Sequence, residues 1–148
     1  MAFLFELTAG RQEQAAYNFN ADVNERNAAA ADQNAAQVVA VEEQNIVDFK
    51  EQFSDLQDAQ AQAFRYNGWI AEEGTPLKVA LASAQEADEE VAARRFNAAV
   101  GAEQIREQGV QDRMQATLNR MYGKAARTRG KARAIQSLIQ TGTAVAGA

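Results

Sequence analysis

The apolar residues Phe3, Leu4, Phe5 and Leu7 stand ahead of Thr8 and Gly10, and from there no strong helix breaker occurs until Gly68. This predicts one helix over about 9–67, roughly 85 Å long at 1.5 Å per residue, preceded by a short apolar segment at 1–8. In its second half Val39, Ile46, Phe53 and Gln60 recur every seven residues, and Phe49, Leu56 and Ala63 form an interleaved series. Two interleaved heptad series make the a/d seam of a coiled coil. In the first half the period persists with smaller side chains. Ala21, Ala28 and Ala35 hold a seam position, and Asn20, Asn27 and Asn34 form a ladder beside it. Asparagine amides compete for helical backbone groups, so the ladder reads either as inter-helix hydrogen bonds that set register or as a solvated face.

The segment from Tyr66 to Leu77 is the one clear punctuation mark. Gly68 and Gly74 are free to take positive φ, Trp69 lies between them, Thr75 suits an N-cap and Pro76 suits the first helical position. These residues define a hinge over 68–76 and a second helix over about 76–122. Ala87, Val91, Phe96, Val100 and Ile105 keep its pattern helical. Val110, Met114, Leu118 and Met121 then follow at steps of four, four and three, and read as its packing seam. Gly123 to Gly130 are expected to fray it, with the helix either ending there or resuming briefly over Ala132 to Gln140, leaving 123–148 as a basic segment and then a Gly/Ala-rich tail. The fold class is therefore all-α: one helical domain of two long helices, either a hairpin or an extended coiled coil, and oligomeric.

Composition explains why an oligomer is expected. The chain has 148 residues, of which 33 are Ala and 16 are Gln, both good helix formers. Leu, Ile, Val and Phe together number 29, about 20% of the chain, close to the level at which chains stop folding alone. Alanine methyls remove little apolar area from water, so partner chains are expected to supply the missing burial.

Charge is unevenly placed. Residues 1–100 carry 7 basic and 17 acidic side chains, whereas no acid follows Asp112. Arg113, Arg120, Lys124, Arg127, Arg129, Lys131 and Arg133 lie beyond it, and Arg106, Arg113, Arg120 and Arg127 recur every seven residues as one basic stripe. The stripe reads as a contact for DNA or an acidic partner, or as a solvated helix end.

Absence of both cysteine and histidine removes disulfides, thiol nucleophiles, the usual zinc sites and the commonest general base. Carboxylate pairs at Glu42-Glu43 and Glu72-Glu73, and the run Glu86, Asp88, Glu89 and Glu90, lie on polar helix faces; a di-iron bundle would also need histidine. No Gly-rich phosphate loop or dinucleotide fingerprint occurs. No enzyme and no cofactor are expected. Neither a signal peptide nor an 18-residue apolar span is apparent, so a protein made soluble in a cytoplasm is expected.

Several local motifs carry a resemblance. The stretch Gly74-Thr-Pro-Leu-Lys-Val-Ala-Leu-Ala-Ser-Ala-Gln-Glu-Ala-Asp-Glu-Glu-Val, then Arg95-Phe-Asn97, Asp112-Arg-Met and Gly123-Lys-Ala-Ala-Arg, resembles the small internal virion proteins of podovirus-like tailed bacteriophages, also called core or DNA-ejection proteins. It covers roughly residues 13–148, with Gly74-Thr-Pro-Leu77 and Arg95-Phe-Asn97 as its sharpest elements. The resemblance implies a structural role near the portal or in the tail lumen, departure with the genome, and assistance in its delivery into the host. It implies a virion location, with possible transient contact with the host envelope, and as partners further copies in a ring, portal, tail or larger core proteins, and non-specific DNA. A head–tail or tail adaptor that stays on the particle is the alternative within this class. A secreted helical-hairpin effector, suggested by Asn67-Gly-Trp69, and a phosphate-binding nucleoid protein are the alternatives outside it.

Overall fold

A computed structural model describes residues 2–146 of the chain and the side chains of residues 4–140. It contains two helices, α1 over Ala2–Tyr66 and α2 over Gly74–Ala146, and no strand among the described residues. The all-α, two-helix expectation holds, and the helix-to-helix contacts are those of a hairpin. Oppositely running segments face each other: Gly10 lies by Gly130 and Glu25 by Arg120, while elsewhere Glu43 meets Arg95.

The turn is chemically well defined. Trp69 N–H donates to the Phe64 carbonyl and Gly68 N–H to the Arg65 carbonyl, both at 3.0 Å, which is the paired bonding of a Schellman cap. Gly68 supplies the left-handed residue this cap requires, at φ 80°. Asn67 Nδ2 donates to the Ala63 carbonyl at 2.9 Å, and Arg65 pairs with Glu72 across the turn. α2 begins at Gly74, φ 61°, with the buried Pro76 in its first turn. Thr75, expected as the cap, thus lies just inside the helix.

Both outer helix ends differ from expectation. Residues 2–8 belong to α1 rather than to a separate segment, and the Thr8 hydroxyl is absorbed by donating to the Leu4 and Phe5 carbonyls at 3.0 and 2.8 Å. α2 does not stop at 122 but continues through the glycines at 123 and 130 to Ala146. Those glycines are buried against α1, and tertiary contact offsets the roughly 1 kcal/mol that each glycine forfeits in a helix relative to alanine. The expected Gly/Ala-rich tail is helical to 146; Gly147 and Ala148 lie outside the described residues.

The chain divides into two units. Unit 1 comprises Met1–Asp32 with Arg106–Ala148, and unit 2 comprises Gln33–Ile105.

Unit 1 is joined by small side chains. Gly10, Ala21, Ala28 and Ala31 of α1 are buried, as are Gly109, Ala116, Gly123, Ala126, Gly130 and Ala134 of α2. A Cβ built on Gly130 would stand 2.9 Å from the Gly10 Cα, and one on Gly10 would stand 3.0 Å from the Gly130 Cα. Only hydrogen fits at this crossing, because the two backbones themselves are in contact. Asn119 is buried in the same seam, and among the described residues no buried side-chain nitrogen or oxygen lacks a hydrogen bond.

Unit 2 contains the turn and a seam with larger members. Ile46 is the largest fully buried side chain; Val91, Ala35 and Ala102 are also buried, and Val39, Phe49 and Phe53 are half-buried. Phe49 and Phe53 stack with centroids 6.3 Å apart, and the Arg94 guanidinium lies 4.9 Å from the Phe49 centroid. This cation over an aromatic face seals the edge of the seam.

Candidate interaction surface

What the helices bury decides what they leave outside. In α2 of unit 1, positions 109, 112, 116, 119, 123, 126 and 130 alternate steps of three and four toward α1. This register turns Val110, Met114, Leu118 and Met121 away from α1. They are 42%, 62%, 42% and 60% exposed, so the expected packing seam on α2 is not the seam between the helices. The cause is steric: the two backbones approach as closely as at Gly10 and Gly130, and no large side chain fits between them. On α1 the expectation fares better. Ile46 is buried, Val39, Phe49 and Phe53 are half-buried, and Leu56, 54% exposed, lines a hollow with Phe49, Phe53 and the α2 residues Ser83 and Ala87. Ala21, Ala28 and Ala35 occupy the seam; Asn20, Asn27 and Asn34 are exposed, in keeping with the solvated-face reading.

Part of the basic stripe has its acidic partner within the same chain. Arg113 pairs with Asp32, Arg120 reaches Glu25 at 2.7 Å and Asp22 at 3.5 Å, and Arg129 stands 3.9 Å from Glu13. These three residues therefore zip α2 to α1 along unit 1. Lys124, Arg127, Lys131 and Arg133 have no ion pair among the described residues. Tyr17 and Tyr122 face each other with centroids 5.9 Å apart at 47°. Beside the glycine crossing is a polar hollow of about 180 Å³ lined by Glu6, Glu13, Arg129 and Arg133, in which both signs of charge face one another.

In unit 2 the Arg95 guanidinium grips Glu43 with two parallel bonds, Nε to Oε1 at 2.8 Å and Nη2 to Oε2 at 3.0 Å. Hydrogen bonding by Arg95 holds the Glu43 carboxyl below its ordinary value, and the same pair raises Arg95. Arg65 likewise lowers Glu72 at the turn. Arg94 bonds Glu90 at 2.7 Å one turn away and approaches Glu42 at 3.9 Å. Of the hinge residues, Trp69 is 58% exposed and lines a shallow hollow with Gly68, Gly74 and Thr75.

Among the described residues no group of three or more Asp or Glu side chains is placed to hold a metal ion. Nor, within them, is any helix long and apolar enough to cross a membrane. Searches against protein-family models, curated proteins and solved structures find no match to this chain.

The residues that hydrophobic periodicity passes over are the small ones. Ala102, Gly109, Ala116, Gly123 and Gly130 recur every seven residues, and that series marks the packed face of α2. The signal was available in the spacing, in a residue class usually read as breaker or filler.

Proposed function

We propose that this chain is a non-enzymatic structural component of a tailed-phage virion, an internal core or ejection protein near the portal or in the tail lumen that assists genome delivery. The assembly part of this reading is carried by one observation. In unit 1, Ala and Gly hold α1 and α2 together, while Val110, Met114, Leu118 and Met121 stay outside, available to other chains. Exposed apolar residues aligned along one helix are characteristic of surfaces that meet partners. The virion part is supported by the resemblance at Gly74-Thr-Pro-Leu77 and Arg95-Phe-Asn97. The first of these opens α2, and the second supplies the guanidinium that grips Glu43.

Partners in this reading are further copies and neighbouring portal, tail or core proteins. Contact with DNA, where it occurs, is directed at phosphates by Lys124, Arg127, Lys131 and Arg133, since Arg113, Arg120 and Arg129 are engaged by α1 carboxylates. Mass spectrometry of purified particles before and after genome release tests the proposal. The chain is expected in full particles and absent from emptied ones. A copy retained after release would favour the adaptor alternative, and absence from particles would refute a virion role.

A further inference from the structure

We propose that copies of this chain associate head to tail, the basic outer face of α2 in unit 1 of one copy docking on the acidic outer face of α2 in unit 2 of the next. Three observations carry this. First, the chain exposes 10818 Å², whereas a folded monomer of this mass exposes about 7,400 Å². The difference is about 3,400 Å², and a stable two-protein contact needs only about 800 Å² from each partner.

Second, the two units carry opposite charge. Unit 1 has ten basic and seven acidic residues, net +3, and unit 2 has five basic and thirteen acidic, net −8. Like units repel and unlike units attract, which disfavours a contact of any unit with its own kind and favours one that joins unit 1 of one copy to unit 2 of another.

Third, each outer face combines apolar positions with charges predominantly of one sign, Glu107 beside Met114 and Lys78 beside Leu81 being the exceptions. In unit 1, Met114, Met121, Lys124 and Lys131 fall on one side of α2, separated by seven, three and seven residues. In unit 2, Leu81 and Phe96, 62% and 68% exposed, bracket Asp88 and Glu89 at spacings of seven or eight. Lysine stems cover apolar surface while their ammonium groups reach carboxylates, so methionine and lysine of one copy suit leucine, phenylalanine and carboxylates of the next. Lys124, Lys131, Asp88 and Glu89 are outside the ion pairs that join α1 to α2, so they are available to another copy.

This inference rests on the assembly reading but not on the virion; particle composition tests the latter, sedimentation of the purified chain the former. The full chain is expected to sediment as an oligomer at low salt and as a monomer at about 1 M salt, where charges are screened within about 3 Å. Lys124→Glu/Lys131→Glu and Asp88→Lys/Glu89→Lys are each expected to weaken association by more than about tenfold with unchanged helical circular dichroism. An equimolar mixture of the two variants should associate again, because every contact then joins unlike charges. A monomeric wild type at low salt, either variant associating like wild type, or a mixture that stays monomeric would overturn the proposal.

Discussion

Units 1 and 2 draw on the same two helices and the same heptad spacing, yet they close in different ways. Unit 1 brings backbones together at Gly10 and Gly130, and the buried apolar side chains of its seam are all alanine. Unit 2 admits Ile46 and Val91 and flanks them with Phe49, Phe53 and Arg94. The contrast shows that a heptad pattern specifies which face packs but not how closely. Small residues trade hydrophobic burial for proximity and depend on tight steric fit; larger ones gain area and depend on filled volume.

The sharpest way to break this contrast is to place bulk in unit 1. Gly130→Leu should destabilise the chain by about 3 kcal/mol or more, since nothing at the crossing can yield except backbone. Gly101 sits on the same helix but meets nothing within 4 Å, so Gly101→Ala should stabilise by about 0.5–1 kcal/mol. Urea titration of both at one protein concentration reads the two signs directly.

Removing bulk from unit 2 is the complementary change. Ile46→Ala should lose about 2–4 kcal/mol, because it empties the one large, fully buried position. Met114→Ala in unit 1, titrated at about 1 M salt where copies are separated, should change stability by less than about 0.5 kcal/mol, the range of exposed surface changes.

How much of this was apparent from the residues follows from the same contrast. The turn was readable because Gly68, Gly74 and Pro76 each have narrow conformational uses, and the α1 seam because Ile46 and Phe53 are large and periodic. The α2 seam was not, because periodicity reasoning weights large apolar residues and here they are the ones turned outward. Glycines at 123 and 130 read as points of fraying, although their burial reveals close approach. Charge shows a related limit: spacing reveals the arginine stripe, but only the antiparallel register matches Arg113 and Arg120 to Asp32 and Glu25.

The smallest expected effect concerns acid. Because Arg95 depresses the folded-state value of Glu43, the pair contributes stability above the unfolded carboxyl value of 4.5, and that contribution is lost as pH falls through the lower folded value. Arg65 gives Glu72 the same sign at the turn, so both effects belong to unit 2. Thermal melts of Glu43→Gln should show a shallower loss of stability than wild type below about pH 4.5.

In unit 1, α2 faces α1 with its small residues. The chain has no cysteine, so single thiols introduced at Ala116 and at Met114 report directly on which face is covered. At low protein concentration and high salt, which separate any associated copies, alkylation should be slow at Ala116→Cys and fast at Met114→Cys. The reverse order, with Met114→Cys protected and Ala116→Cys reactive, would contradict this arrangement.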